Sequence, residues 1–255
     1  TRSSGGSPRA ECHQRSRGQS AWHRSTPPLQ LPAPRSPCNW SMADGSRQQF
    51  KNTTPTWIRK EHGNVSELEF VSPVASGPLS AAGGGISLED VSDRTKVLVR
   101  AGRDTAAGTH LKVTYGRSRR RRDGALICGS RPDEWTLLAD PGQGTELLAS
   151  LPDEGFVSVV DITHGRAMFR LSGLDTVGVL AKVCNIDLTD DMTPDGAVFS
   201  GSVAKVTCDL VRNDLADRRS YLVSCERSFG AYLFAAIADA CSEFGIDVPA
   251  DLTIH

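Results

Sequence analysis

The stretch from residue 156 to residue 184, FVSVVDITHGRAMFRLSGLDTVGVLAKVC, contains the pattern that decides the fold. Its first part is rich in β-branched and aromatic residues and predicts two strands, Phe156–Ile162 and Arg166–Leu171, joined by a short polar connection. A helical pattern follows from Asp175 to Cys184, in which apolar residues recur at intervals of three and four. A strand, a turn, a second strand and a helix are therefore predicted as one continuous unit.

Further elements lie on both sides of this unit. The other predicted strands are Lys96–Arg100, Leu111–Tyr115, Ala125–Cys128, Glu134–Leu138, Val203–Val211 and Ser220–Cys225. Helices are predicted at Gly144–Ser150 and Ser228–Phe244, with Ser228 as the N-cap of the last helix and Gly245 as its left-handed end. Four strands and a helix precede the order strand–strand–helix–strand–strand–helix. This order predicts an α+β fold with two-layer packing of mostly antiparallel sheets and helices on one face.

The first segment of the chain lacks these patterns. Residues 1–41 are rich in Ser, Arg and Pro, contain one acidic residue, Glu11, and have no apolar face to bury. We interpret them as a translated upstream or expression-derived segment, with an organelle transit peptide as the alternative. Met42, which follows this segment, is the candidate native start.

The polar character continues to about residue 86, with several Pro and Gly pairs. Such a segment is expected to be a disordered tail. A short strand that docks on a partner is the alternative, and the residues that favour it are Trp57, Leu68, Phe70 and Val71. The predicted organisation is a tail and one domain with two halves: 1–86, then 87–250 divided into 87–153 and 154–250.

Charge and hydropathy limit the classes of function. The formal net charge is −1 over 255 residues, so no overall field attracts nucleic acid or an acidic membrane surface. The basic run Arg117–Arg122, followed by Asp123–Gly124, is interpreted as a solvated hairpin turn; contact with a protein or with nucleic acid is the alternative. No stretch approaches the roughly 18 to 20 apolar residues of a membrane-spanning helix. We therefore expect neither a nucleic-acid nor a membrane partner.

The seven cysteines show no metal-site spacing, because no CxxC pair and no matching Cys/His arrangement occurs. An odd number also fits poorly with a secreted disulfide framework. The cysteines in apolar or helical patterns are Cys128, Cys184, Cys208, Cys225 and Cys241, which we interpret as small buried residues. The sequence thus indicates a soluble protein of a reducing compartment, the cytoplasm, without a metal site.

The densest polar cluster lies in the connection between the first two strands described above. His164 beside Asp161 is a candidate general base, and Arg166 is a candidate clamp for a carboxylate. The alternative is a capped turn whose side chains satisfy backbone groups. Arg227 and Ser228 open the last helix, where free N–H groups could receive an anion or where Ser228 simply caps the helix.

A glycine-rich turn follows the strand at Glu134–Leu138. Its sequence, DPGQGTEL at 140–147, superficially resembles a phosphate-binding turn, but Leu147 occupies the third glycine position and Pro141 intrudes. The sequence also lacks a P-loop, an HExxH motif and a Gly-x-Ser-x-Gly motif. We therefore expect no dinucleotide on this chain.

Several of these segments resemble the gamma-subunit family of bacterial heterotetrameric sarcosine oxidase. The run from Val160 to Asp175 carries the densest similarity, which continues through the following helix to Leu188. The remaining matching segments are PDGA at 194–197, SVAK at 202–205, RSYL at 219–222, ERSF at 226–229 and ACSEFG at 240–245. The resemblance is looser from Leu88 to Pro152 and does not reach the first 85 residues.

That family is similar in turn to the folate-binding domain of the glycine-cleavage aminomethyltransferase. In aminomethyltransferases a later strand carries a paired Asp-Asp that helps to position the folate amine chemistry. By approximate matching Gly201–Cys208 corresponds to that strand, and Ala204 and Lys205 stand at the carboxylate positions. Because a cation cannot replace an anion that stabilises a developing iminium, the resemblance implies no catalytic residue on this chain. It leaves a binding or interface role for Thr163, His164, Arg166, Lys205, Arg227 and Ser228.

The resemblance implies a function within a complex. Such a complex oxidises sarcosine with oxygen to glycine and hydrogen peroxide and passes the one-carbon unit to tetrahydrofolate. FAD, FMN, NAD and tetrahydrofolate would belong to the complex and none of them to this chain, whose partners would be the larger alpha and beta subunits and the delta subunit. We expect an accessory gamma subunit of an oxidoreductase. A stand-alone folate-binding, aminomethyltransferase-like protein is the alternative.

Overall fold

Two antiparallel sheets form the centre of the structure, a computed structural model that describes residues 69–74, 76–152, 154–216 and 218–252. The six-stranded sheet consists, in spatial order, of β1 (Leu79–Ser80), β2 (Ile86–Asp90), β8 (Arg166–Gly173), β11 (Ser220–Glu226), β10 (Val206–Arg212) and β9 (Val198–Val203). The five-stranded sheet consists of β4 (Ser118–Arg120), β5 (Leu126–Arg131), β6 (Glu134–Ala139), β3 (Thr95–Ala101) and β7 (Val157–Asp161). All pairings between these strands are antiparallel.

Each sheet carries two α-helices on one face. Those on the five-stranded sheet are α1 (Ala106–Leu111) and α2 (Gly144–Ala149), and those on the six-stranded sheet are α3 (Thr176–Val183) and α4 (Gly230–Ser242). Phe169 of β8 and Phe234 of α4 meet edge to face, with 5.2 Å between ring centroids, a favoured geometry for aromatic pairs. Three one-turn 3-10 helices complete the described part: Thr163–Gly165, Arg227–Phe229 and Ala250–Leu252. The predicted α+β class, with helices on one face of antiparallel sheets, is confirmed.

The other faces of the two sheets pack against each other. Side chains alternate between the faces of a strand, so each sheet has a second apolar face opposite its helices. The contact consists of the buried residues Val91, Leu126, Cys128, Leu138, Met168, Val198, Val211 and Leu222. Fully burying one large apolar side chain of this kind contributes about 1.5 to 3 kcal/mol. Polar residues next to this contact leave a cleft between the sheets.

The two predicted halves, 87–153 and 154–250, are not separate units. β2, from the first half, pairs with β8 in the six-stranded sheet, with Leu88 opposite Leu171. β7, from the second half, pairs with β3 in the five-stranded sheet. Each sheet therefore contains a strand from the other half. The periodicity of an apolar strand does not reveal this exchange, because such a strand fits the edge of either sheet.

The prediction that residues 1–86 form a disordered tail extends too far along the chain. Val74, Leu79 and Ala81 are buried in the core of the six-stranded sheet, and β1 pairs with β2. A strand of two residues is too short to show the alternation that predicts strands. Residues 1–68, and with them the predictions about 1–41, lie outside the described part.

The strand predicted at Leu111–Tyr115 is wrong, because α1 occupies residues 106–111. The Thr105 side chain accepts a hydrogen bond from the N–H of Gly108 at 3.2 Å and caps the helix. Lys112 ends the helix in the left-handed conformation, with φ of 47°. Leu111 and Val113 are both buried, and this spacing of two residues is also the spacing of buried side chains in a strand.

The strand predicted at Val203–Val211 is a hairpin of two strands, β9 and β10. Ala204 and Lys205 form its two-residue turn, with φ values of 47° and 67°. Turns of this kind usually contain Asn or Gly, and neither residue type signals the turn here. The stretch from Gly201 to Cys208 thus bends back on itself at these two residues.

The last helix starts two residues later than predicted. Ser228 is not its N-cap, because Ser228 lies in the 3-10 helix Arg227–Phe229 and α4 begins at Gly230. The Gly230 N–H donates to the carbonyl of Arg227, so the preceding turn satisfies a group that a cap would otherwise bind. At the other end, Gly245 has φ of 86° and its N–H donates to the carbonyl of Ser242 at 3.2 Å. The predicted left-handed end is confirmed.

Candidate functional site

A cleft of about 450 Å³ lies between the inner faces of the two sheets. Its apolar lining consists of Leu98, Cys128, Leu138, Ile162, Met168, Val198, Val211 and Leu222. Its charged lining consists of Lys96, Arg100, Arg131, Glu134, Asp161, Arg166, Asp209 and Glu226. In pockets that bind small molecules, polar groups around an apolar surface fix the orientation of the ligand.

Arg166, one of the predicted site residues, begins β8 on one wall of the cleft. Its guanidinium donates to Asp209 Oδ2 at 2.6 Å, to Glu226 Oε1 at 2.9 Å and to the carbonyl of Ser224 at 3.2 Å. β11 places Glu226 directly opposite Arg166, and β10 places Asp209 opposite Ser224. The second Asp209 oxygen accepts from Ser200 Oγ at 2.7 Å. Arg166 thus joins three strands through charge-assisted hydrogen bonds.

A second ion cluster lies on the wall that the five-stranded sheet provides. The Glu134 side chain is only 8% exposed and accepts from Arg100 Nε at 2.7 Å. Its other carboxylate oxygen pairs with Arg131, and both arginine side chains are more than half exposed. This cluster has two cations and one anion, whereas the cluster around Arg166 has one cation and two anions. The two walls therefore carry opposite net charges.

Lys96 lines the cleft although it is almost completely buried. Its Nζ donates to the carbonyls of Ser92 at 2.7 Å and Arg94 at 2.8 Å. Burial lowers the pKa of Lys96 to about 8, against the opposing effect of nearby carboxylates. Thr163, another predicted site residue, accepts from the Lys96 N–H at 2.9 Å through Oγ1, and its own N–H donates to Asp161 Oδ1 at 2.8 Å. Thr163 therefore positions the backbone beside the cleft.

His164 and Arg227 meet at a surface outside the cleft. The centroids of the His164 and Phe70 rings are 5.5 Å apart, and the Arg227 guanidinium lies 5.5 Å from the centroid of the same Phe70 ring. Arg227 also donates to the carbonyl of Val71, whose side chain is exposed, as is that of Phe229. We refer to Phe70, Val71, His164, Arg227 and Phe229 as the Phe70 patch. The predicted site residues thus occupy more than one place on the molecule.

Lys205 and Ser228 do not line the cleft either. Lys205 lies in the β9–β10 turn, where the neighbouring Ala204 carbonyl accepts from the Tyr232 hydroxyl at 3.2 Å. This contact docks the turn on α4. Of the six predicted site residues, Arg166 is the one that lines the cleft.

The basic run Arg117–Arg122 forms β4 and part of the turn that leads to β5. Arg119 donates to the carbonyl of Leu111 at 2.8 Å, and Arg121 pairs with Asp123 at 3.0 Å. These intramolecular bonds favour the interpretation as a hairpin. Arg119 and Arg121 therefore already have partners within the folded chain.

The glycine-rich turn at 140–147 does not fit a pyrophosphate group. The strand before it, β6, is antiparallel to both of its neighbours, and α2 after it has only six residues. Asp161 Oδ2 lies 2.7 Å from the position that a Cβ on Gly144 would take, so an anion at this turn would meet a carboxylate.

Among the described residues, no group of three or more His, Cys, Asp or Glu side chains is placed to hold a metal ion. None of the described helices is long and apolar enough to cross a membrane.

The sequence analysis did not single out Lys96, Glu134 or Asp209. Each is a charged residue within an otherwise apolar strand, where alternation alone predicts a solvent-exposed position. A strand that is covered on both faces has no solvent side, and a charge there requires a partner. The signal would have been the presence of opposite charges on several such strands.

Comparison with protein families matches residues 82–243 to the family described as sarcosine oxidase, gamma subunit. The matched range runs from just before β2 to just after α4, and so includes both walls of the cleft. No curated protein matches the chain in a sequence comparison.

Two solved structures are similar to the chain. A chain of heterotetrameric sarcosine oxidase from Corynebacterium sp. U-96, in complex with pyrrole 2-carboxylate, is 23% identical with a TM-score of 0.57; the similarity covers 67% of this chain and 91% of that chain. Aminomethyltransferase T of the glycine cleavage system from Bartonella henselae is 15% identical with a TM-score of 0.47, over 59% of this chain and 44% of that chain. The first similarity supports the fold.

Proposed function

Because the chain belongs to the sarcosine oxidase gamma subunit family, we propose that it acts as the gamma, accessory subunit of a heterotetrameric sarcosine oxidase. The observation that carries this proposal is the continuous family match from β2 through α4. The match includes every strand of the cleft and both helices of the six-stranded sheet. The function therefore concerns the whole domain.

In this proposal the oxidation takes place on other subunits. The complex converts sarcosine and oxygen to glycine and hydrogen peroxide and delivers the one-carbon unit to tetrahydrofolate. FAD, FMN, NAD and tetrahydrofolate bind to the larger subunits, and the alpha, beta and delta subunits are the partners of this chain. The glycine-rich turn supports this division, because a carboxylate stands where a pyrophosphate would have to bind.

The contacts of the predicted site residues support a structural role. The Arg166 guanidinium links its own strand to two other strands of the same sheet, and Thr163 binds the backbone of Lys96. Lys205 stands at the end of a hairpin where the alternative function would need carboxylates. A stand-alone aminomethyltransferase-like protein therefore lacks support from this site, although it would share the fold.

The proposed location is the cytoplasm. Cys128, Cys184, Cys208, Cys225 and Cys241 are free thiols in the described part of the chain, and Cys184 is the one that is not fully buried. Free thiols persist in reducing compartments. The proposed partners and the thiols are thus compatible with one compartment.

The accessory function is tested by expressing the full chain with and without the alpha, beta and delta subunits. We expect the chain to co-purify in a fixed ratio with them, and its omission to lower the yield of the assembled complex. Hydrogen peroxide formed from sarcosine is measured per assembled complex. If the isolated chain produced methylene-tetrahydrofolate by itself, or if it never co-purified, the accessory function would be wrong.

The Phe70 patch is the surface that we propose for contact with a larger subunit. It combines a cation, an imidazole and exposed apolar side chains, a composition that is common in protein interfaces. Val71 is 66% exposed and Phe229 is 51% exposed. Exposed apolar residues of this size gain by burial in an interface.

The double variant Val71→Ser, Phe229→Ser is expected to reduce the co-purified larger subunits by about tenfold or more, because interface anchors commonly contribute 1 to 2 kcal/mol or more. Melting of the isolated variant should stay near wild type, since both side chains are exposed. Leu174→Ser is the matched control, because Leu174 is 84% exposed and lies outside the patch. Normal assembly of the double variant, or an equal loss in the control, would show that another surface makes the contact.

A further inference from the structure

The two walls of the cleft carry opposite net charges on either side of an apolar floor. The five-stranded sheet provides a net charge of +1 and the six-stranded sheet a net charge of −1 from these clusters: Arg100, Arg131 and Glu134 on one side, and Arg166, Asp209 and Glu226 on the other. Lys96 and Asp161, which also line the cleft, cancel each other. The cleft is therefore neutral as a whole but electrically polarised.

Both walls keep hydrogen-bonding capacity for a ligand. Arg100 uses Nε and Arg131 uses Nη1 for Glu134, and within the described chain their other guanidinium N–H groups donate to no protein group. On the opposite wall, Glu226 accepts from Arg166 with Oε1 only, and its side chain is 65% exposed. A carboxylate on a ligand suits the free guanidinium groups, and an ammonium suits the free carboxylate oxygen.

A ligand with a single charge fits this cleft less well. A simple anion would gain from Arg100 and Arg131 but would meet the negative wall, and a simple cation would meet the positive wall. A molecule with both charges is favoured on both sides, and complementary charges of this kind set specificity. The floor, which includes Leu98, Met168 and Leu222, favours an apolar substituent between the two charged ends.

We propose that the cleft binds a small zwitterion with an apolar substituent, of the size of an amino acid or dipeptide. Its carboxylate lies at Arg100 and Arg131, and its ammonium lies at Glu226 and Asp209. The volume of about 450 Å³ is within the range of small-molecule pockets, roughly 300 to 1,000 Å³. This binding is separate from the accessory function, and either one can fail without the other.

The methyl groups of methionine offer a direct test in the full chain. Met168 lines the cleft, whereas Met192 is exposed and lies outside it. With ¹³C-labelled methionine methyls, we expect glycyl-leucine to shift the Met168 resonance in a saturable way and to leave the Met192 resonance unchanged. Absence of a saturable Met168 shift would overturn the proposal.

Two matched compounds separate zwitterion binding from binding of either charge alone. Glycyl-leucine amide keeps only the ammonium, and N-acetyl-glycyl-leucine keeps only the carboxylate. Each is expected to bind at least about tenfold more weakly than glycyl-leucine, because each loses a charge-assisted hydrogen bond. Equal affinity of all three compounds would mean that the charged walls do not select the ligand, and the proposal would be wrong.

Variants of the protein test whether the positive wall binds the carboxylate of the ligand. Arg131→Gln is expected to weaken glycyl-leucine binding about tenfold and to leave binding of the amide compound nearly unchanged. Arg103→Gln is the control, because Arg103 is an exposed arginine that pairs with Asp133 at 3.7 Å outside the cleft. If both variants weakened the binding equally, general electrostatics would explain it and the assigned site would be wrong.

Discussion

Raising the pH from about 8 to about 10 is expected to lower the free energy of unfolding of the reduced protein by about 3 kcal/mol. Burial raises the pKa of Cys128, Cys208 and Cys241 to about 12 and that of Cys225 to about 11, from the ordinary value of 9.0. In the unfolded chain these thiols ionise near pH 9. Because the folded-state pKa is raised, the stability that they contribute is complete below pH 9 and is lost as the pH rises toward 11 and 12.

The magnitude follows from four thiols that act against one lysine. At pH 10 each thiol lowers the free energy of unfolding by on the order of 1.4 kcal/mol, and the four together lower it by about 5 to 6 kcal/mol. Lys96 acts in the opposite direction, because its pKa is lowered from 10.5 to about 8 and the unfolded chain binds more protons between these values. Between pH 8 and pH 10 this lysine raises the free energy of unfolding by on the order of 2 to 3 kcal/mol. The thiols outweigh the lysine, and the net loss is a large fraction of a typical domain stability of about 5 to 15 kcal/mol.

Urea unfolding at pH 8 and pH 10 in the presence of a phosphine reductant measures this loss. The variant with all four cysteines replaced by alanine should lose most of this decrease, because the Lys96 effect is then opposed only by Cys184 and Tyr221, whose pKa values burial raises less strongly. Its stability at pH 8 is expected to be lower than that of wild type, since cavities replace the thiols. The double variant Cys128→Ala, Cys241→Ala should show an intermediate pH dependence. An unchanged pH dependence in both variants would contradict the assignment to buried thiols.

Gly173→Ala is expected to destabilise the protein by about 3 kcal/mol or more, at the upper end of the usual range for a point mutation. Gly173 ends β8 with φ of 134°, a conformation that L side chains rarely adopt. A Cβ at this position would lie 2.1 Å from the carbonyl oxygen of Gly85. The opposing atom belongs to the backbone where β2 begins, so the pairing of β2 with β8 would have to shift.

Gly165→Ala is the matched control for this prediction. Gly165 lies directly before the same strand, β8, but nothing lies within 4 Å of its ideal Cβ position. Urea midpoints of the two variants are compared with that of wild type. We expect a large decrease for Gly173→Ala and a small change for Gly165→Ala. Equal midpoints would mean that the β2–β8 contact is loose enough to accept a side chain.

Local pattern was sufficient for the unit of β7, β8 and α3. The apolar and β-branched residues of 156–171 predict both strands, and helical spacing predicts the helix from Asp175, close to its observed start at Thr176. Gly245 also ends the last helix as predicted. These features depend on residues within a few positions of each other, so a linear sequence contains the information that they require.

The arrangement of the candidate site could not be predicted in the same way. His164 and Arg166 are neighbours in the sequence, yet one packs on Phe70 and the other joins Asp209 in the cleft. The sequence analysis grouped them because they share one connection. Consecutive side chains leave a strand connection in different directions, and their partners lie on distant segments of the chain.

The sequence by itself determined the α+β class, the unit of two strands and a helix, and the resemblance to the gamma-subunit family, because each depends on local residue order. Only the tertiary structure decided that β2 crosses to the six-stranded sheet and β7 to the five-stranded sheet. It also decided that charged side chains from seven strands surround one cleft. The physical reason is that strand exchange and ion pairing depend on which residues meet after folding, such as Arg166 and Asp209, 43 positions apart.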